Sequence, residues 1–195
     1  MITTREVLRS LRLKGRAGTA DIAAASGIDE SATQEILDRG TENGLVNHRS
    51  GRRGGWMLTA QGNEEVIRLL AEERAGLAIT DAATAYDGPF LKLNAEFKEL
   101  CTRWQLAGGD ATAAVEVTGE FARIHDRNRE LLGQFASSIP RFDRYCARFE
   151  AAYQRFLDGE TSALVQPLSG SYHDVWIELH EDLLLLLDRA RIEDD

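Results

Sequence analysis

Apolar positions along this chain recur at three- and four-residue steps almost throughout, which predicts helices rather than strands. Val7, Leu8 and Leu11 share one face of a helix over Thr3–Leu13, with Thr3 or Thr4 as its cap and Gly15 as its stop. Thr19 or Asp21 opens a short second helix carrying Ile22, Ala23 and Ala25, and Gly27-Ile28 makes a sharp turn into a third. Asp29 is placed to cap that helix, Ala32, Ile36 and Leu37 fall on one face, and Asn43-Gly44 ends it. The helical period then breaks. Two short apolar runs, Leu45-Val46 and Trp56-Met57-Leu58, flank a tip rich in glycine and arginine, which is a hairpin pattern. Thr59 begins a long fourth helix through Val66, Ile67, Leu69 and Leu70, reaching about Ala78.

Residues 75–88 are small and polar, and a boundary placed there separates residues 1–75 from residues 76–195. The second part reads as all helical. Phe90, Leu93, Phe97, Leu100 and Trp104 form one stripe; Val117, Phe121, Ile124, Leu131, Leu132 and Phe135 form a less regular one. Phe142, Tyr145, Phe149, Ala152, Tyr153 and Phe156 form a third. Asp110 and Ser137/Ser138 suit helix starts, Pro140 a first turn, and Gly108 and Gly159 stops. A last helix over Tyr172–Ile192 holds the run Leu183 to Leu187 and is apolar round more than half its circumference. Such a helix is expected to be covered on two sides, by its own bundle and by a partner subunit.

Charge changes this picture more than composition does. The net charge of −9 lies wholly in residues 76–195, which carry 12 Lys/Arg against 21 Asp/Glu; residues 1–75 hold 11 of each. An acidic second part is expected to face away from phosphate. No apolar run reaches the roughly 18 residues that a membrane span needs. The N-terminus lacks an apolar secretory segment, so a cytoplasmic protein without membrane contact is expected. Cys101 and Cys146 match no metal or redox spacing and read as buried thiols.

Residues 19–62 resemble the winged helix-turn-helix of bacterial transcription regulators, most closely the MarR type. Gly27, Ile28, Ser31, Asp38, Arg39, Gly44, Leu45 and Val46 fall on that family's third-helix pattern, and Leu58-Thr59-Ala60-Gln61-Gly62 on the motif that closes its wing. The module opens the chain, a placement shared with PadR-like and GntR-like regulators. The resemblance implies three helices and a two-stranded wing for the first part; with the helical periodicity of the second, the expected fold is mainly α, a winged helix-turn-helix followed by an all-α bundle. The resemblance further implies that the third helix enters the major groove and that the wing touches the backbone or minor groove.

Candidate contacts to double-stranded DNA follow. Ser31, Thr33 and Gln34 are candidates for base edges, with Arg39, and Arg49, Arg52 and Arg53 of the wing for phosphate. Arg5, Arg9, Arg12, Lys14 and Arg16 add cations from the first helix and its exit. The third helix also carries Asp29, Glu30, Glu35, Asp38 and Glu42, and a carboxylate there can accept from a cytosine amino group. That acidity equally suits a winged-helix protein-interaction or assembly adaptor that does not bind DNA.

Metal and enzyme chemistry find little support. His173 and His180 lie two helical turns apart, about 10 Å of rise, too far to share one ion. His125, beside Asp126 and Arg127, reads as part of a solvated face, and His48 sits at the wing. Gly-Arg-Arg-Gly-Gly at residues 51–55 lacks the ending of a phosphate loop. The expectation is therefore a DNA-binding regulator, not an enzyme, acting as a homodimer without metal or cofactor. A small-molecule effector pocket among the aromatic helices of the second part is a further expectation.

Overall fold

The computed structural model describes residues 2–51, 54–77, 79–108 and 110–190. It divides into two compact units, Met1–Gly76 and Leu77–Asp195.

The first unit runs α1 (Ile2–Lys14), α2 (Thr19–Ser26), α3 (Glu30–Glu42), β1 (Val46–Arg49), β2 (Gly55–Leu58) and α4 (Ala60–Ala75). Its core takes Val7, Leu8 and Leu11 from α1, Ile22 from α2, Ile36 and Leu37 from α3, Val46 from β1, and Val66, Leu69 and Leu70 from α4. Gly27 ends α2 in the left-handed region at φ 69°, donating its N–H to the Ala23 carbonyl at 2.9 Å. Asp29 then caps α3 by accepting from the Ala32 N–H at 2.9 Å. β1 and β2 pair antiparallel, Val46 opposite Leu58 and Arg49 opposite Gly55. The connector before α2 joins the hairpin's edge, because Ala17 and Trp56 exchange backbone hydrogen bonds of 3.2 and 2.9 Å.

The stretch Leu58 to Gly62 is a lock between α4 and the turn before β1. Thr59 donates its N–H to the Leu45 carbonyl at 3.0 Å and its hydroxyl to the Gly44 carbonyl at 2.7 Å. The same hydroxyl accepts from the Gly62 N–H at 3.0 Å, capping α4. Gly62 lies so close to the turn that a Cβ there would come within 1.9 Å of the Leu45 carbonyl oxygen. α4 stops at Ala75 with Gly76 as its cap, three residues short of the sequence expectation.

In the second unit, α5 (Thr80–Ala85) passes through a single π turn, Tyr86–Phe90, into α6 (Leu91–Leu106). Residues 80–88, expected as part of a small, polar boundary stretch, are thus helical. Pro89 has no N–H to give the regular ladder, and the wider π turn accommodates it. α7 (Ala111–Ser138) starts at an Asp110 cap and runs unbroken for 28 residues, so Ser137 and Ser138 end a helix rather than begin one. Ile139 ends it because the residue before a proline is pushed out of the α region; its φ is −138° and ψ 86°. α8 (Asp143–Leu157) and α9 (Tyr172–Leu187) follow. α9 ends at Asp188 rather than continuing to Ile192.

Aromatic rings join these helices. Trp176 of α9 lies 4.6 Å from Phe97 of α6, and Tyr172 lies 4.8 Å from Phe121 of α7 and 4.6 Å from Phe149 of α8. Leu183, Leu184 and Leu186 are buried within this one unit. Three of the five leucines of the run are therefore spent on the chain's own core, while Leu185 and Leu187 are half-buried and Ile177, at 43%, is exposed on α9. Several polar side chains inside this unit bond to one another. Asp182, fully buried, accepts from Arg141 at 3.2 Å and from the Tyr145 hydroxyl at 3.0 Å, and Trp176 donates to Asn94 at 2.9 Å. His125 is buried rather than solvated. Its Nδ1 is 3.3 Å from the Tyr172 hydroxyl, its Nε2 3.2 Å from Glu150, and its ring stacks on Tyr153. Asn128 donates to the Tyr172 oxygen at 3.0 Å, so the Tyr172 proton goes to His125 Nδ1 and the imidazole donates to Glu150 from Nε2. Among the described residues, no helix is long and apolar enough to cross a membrane.

Candidate nucleic-acid interface

The exposed side of α3 is the centre of the candidate site, and its register follows from what the inner side buries. Thr33, Ile36, Leu37 and Gly40, at i, i+3, i+4 and i+7, face the core. Ser31, Glu35, Asp38, Arg39 and Glu42 are left exposed. Ser31 and Arg39 therefore face outward, with the Arg39 Nε donating to the Glu35 carbonyl at 3.2 Å. Thr33, a candidate for base edges, is 0% exposed and turns its hydroxyl to the Ile28 carbonyl at 3.4 Å. The structure takes it out of the outward-facing set.

Gln34 is half-buried, with both ends of its amide engaged. Its Oε1 accepts from the Thr19 hydroxyl at 2.8 Å, and its Nε2 donates to Asp38 at 2.8 Å. Thr19 in turn accepts from the indole N–H of Trp56 at 3.1 Å. Neither Thr19 nor Trp56 stood out in the sequence as more than a helix start and a wing apolar. The available signal was chemical: a tryptophan in a short strand needs a partner for its N–H.

Arg49 is exposed at the end of β1, and His48 beside it lies 4.8 Å from the Trp56 ring. Arg52 and Arg53 lie outside the described residues. The α1 cations divide. Arg9 is buried against Glu6 at 2.8 Å, Arg5 pairs with Glu73 at 3.1 Å, and Arg12 bonds Asn63. Arg5 and Arg12 thus tie α1 to α4, and Arg9 pairs within α1. Arg16 is exposed, its Nε 3.1 Å from the Met57 sulfur of β2. Asp29 and Glu30 are exposed too, so the outer side of α3 and its cap present five carboxylates and one guanidinium.

This side can accept hydrogen bonds from amino groups through its carboxylates, donate or accept through Ser31, and meet phosphate through Arg39 and the flanking Arg16 and Arg49. In the second unit, a groove of about 530 Å³ lies against Trp104, Val165, Pro167 and His173, within the size range of small-molecule sites. Burial holds the His173 imidazole below its usual range. Among the described residues, no group of three or more His, Cys, Asp or Glu is placed to hold a metal ion. No family model, no curated protein and no solved structure matches this chain.

Proposed function

We propose that the first unit is a winged helix-turn-helix and that the protein is a DNA-binding transcription regulator acting as a homodimer. One observation carries the reading. A capped helix leaves a tight glycine turn with its inner side packed and its outer side exposed, next to a two-stranded hairpin with an arginine-bearing tip. In this reading α3 lies in the major groove, Ser31 faces base edges, and Arg16, Arg39, Arg49, Arg52 and Arg53 contact phosphate. An effector small enough for the groove at Trp104 would modulate the dimer.

The test is selection of duplexes from a random pool, followed by anisotropy titrations of the selected duplex over a range of salt. Affinity is expected to fall with salt by a logarithmic slope of about 0.9 per phosphate contact. The Arg52→Ala/Arg53→Ala double variant is expected to weaken binding and to flatten that slope. Unchanged affinity and slope in the variant would reject the wing role. Failure to select any duplex would reject the regulator.

The acidity of α3 favours a second reading, that of an adaptor whose outer helix face docks a basic protein surface without DNA. It predicts no salt-sensitive duplex binding, and a protein partner whose binding is lost when Glu35 and Asp38 are neutralised.

A further inference from the structure

Four side chains from three elements form one polar chain under the candidate interface. The Trp56 indole N–H of β2 donates to the Thr19 hydroxyl at the start of α2. Thr19 donates to the Gln34 carbonyl oxygen of α3, and Gln34 donates from its NH₂ to Asp38 one turn on. An indole N–H can only donate and an ionised carboxylate can only accept, so the direction of every bond between them is fixed. Turning the Gln34 amide over would set its oxygen against the Asp38 carboxylate. It would also present two donors to a Thr19 oxygen already accepting from Trp56. The chain therefore has one arrangement.

The hairpin is held at the same point from other sides. Trp56 is 7% exposed, its backbone exchanges two hydrogen bonds with Ala17, and the His48 ring lies over it. Held this way, β2 and α3 cannot adjust independently. A duplex must fit both at once.

We infer that Thr19, Gln34 and Trp56 are positioning residues that fix the hairpin relative to α3 and thereby set sequence selectivity, so that Gln34 orients the reading face and does not itself read a base. The inference rests on the DNA-binding reading and adds to it the residues on which discrimination depends. Bond geometry points to this role: the Gln34 oxygen and one of its two N–H groups are held by Thr19 and Asp38, so the orientation of its amide is set within the protein, and turning it to a base would break the chain at two places.

The experiment compares wild type with Thr19→Val, which keeps the β-branched shape and removes the hydroxyl, and with Thr19→Ser, which restores it. Each is titrated with the selected duplex and with an unrelated duplex of equal length. Exchange of the Trp56 indole proton is followed by NMR. Thr19→Val is expected to keep its helical circular dichroism and its affinity for the unrelated duplex. It should lose about tenfold in affinity for the selected one, and its indole proton should exchange faster. Thr19→Ser is expected to recover both. If Thr19→Val does not fold, Gln34→Leu cuts the same chain from the α3 side and carries the test. Selectivity equal to wild type in a folded variant with a freely exchanging indole proton overturns the inference and leaves DNA binding standing. Wild type failing to distinguish the two duplexes overturns the DNA-binding reading and the inference with it.

Discussion

Replacing Gly62 by alanine sets two effects of opposite sign against each other. In an unconstrained helix interior the change is favourable by about 1 kcal/mol, because glycine gives up more chain entropy than alanine on ordering. At this position the new Cβ would stand 1.9 Å from the Leu45 carbonyl oxygen, backbone against backbone, with no flexible side chain to yield. Relief requires the start of α4 to move by about 1 Å or more, since carbon and oxygen in contact sit more than 3 Å apart. That shift strains the bonds from Thr59 to the carbonyls of Gly44 and Leu45, each contributing about 1 kcal/mol. Overpacking adds about 1–3 kcal/mol. The net expectation is a loss of about 2–4 kcal/mol, confined to the first unit. Gly119, in the middle of α7, meets nothing within 4 Å, and its alanine variant should instead gain about 0.5–1 kcal/mol. Native-state hydrogen exchange read by mass spectrometry separates the two, with α1 and α4 amides reporting the first unit and α7 and α9 amides the second. A Gly62→Ala protein as stable as wild type would refute the reasoning and with it the account of residues 58–62 as a lock.

Glu35→Gln removes one exposed carboxylate from α3; affinity for unrelated duplex should rise while the ratio of selected to unrelated binding falls. A rise of equal size for both would mean that the carboxylate only repels. Burial depresses the imidazoles of His125 and His173, so in the fold they stay neutral where the unfolded chain still takes up a proton. Their contribution to stability is therefore complete above the unfolded value of about 6.5 and is lost as pH falls below it, and His125→Gln should flatten that acid limb in urea titrations between pH 5 and 8. A limb unchanged in the variant would rule out His125 as its source. Asp182→Ala strips the buried Arg141 and Tyr145 of a shared acceptor and should cost about 3–5 kcal/mol, read as a lower urea midpoint for the second unit; a loss below about 1 kcal/mol would contradict the burial of that pair.

Most of the first unit is legible in sequence because its signals are local. Asp29 caps its helix from three residues before Ala32, Gly27 turns where a left-handed residue is needed, and the Thr59 cap on Gly62 acts within one helical turn. The inner side of α3 differs from the expected one at a single position. Thr33 rather than Ala32 shares the spacing of Ile36, Leu37 and Gly40, and a hydroxyl that finds a backbone carbonyl is buried as readily as a methyl. The irregular stripe in α7 has a similar cause. Between Ile124 and Leu131 the apolar rhythm lapses, and the places are filled by His125 and Asn128, at 3% and 0% exposure. A gap in an otherwise helical stripe was the sign of a polar core rung. The α9 leucines mark a helix covered on nearly all sides, but periodicity does not say whose atoms do the covering; here α6, α7 and α8 contribute the surrounding rings.

In the proposed DNA complex, the acidity of α3 would bear differently on affinity and on selectivity. A carboxylate about 7 Å from a phosphate in a water-like medium costs about 0.6 kcal/mol before screening, and salt reduces it further. The exposed carboxylates of one helix then sum to about 2 kcal/mol, comparable with what a few arginine–phosphate contacts return. Association with unrelated DNA rests almost wholly on phosphate attraction, so this cost falls on it in full. A matching site can offset part of it, because cytosine and adenine present amino donors in the major groove and a carboxylate accepts from them, whereas the guanine edge offers acceptors and repels. A helix face of this composition, set rigidly against its hairpin by the Trp56–Thr19–Gln34–Asp38 chain, would trade strength of binding for discrimination. The same acids that argue against a protein coating DNA indiscriminately are thus compatible with one that occupies few sites.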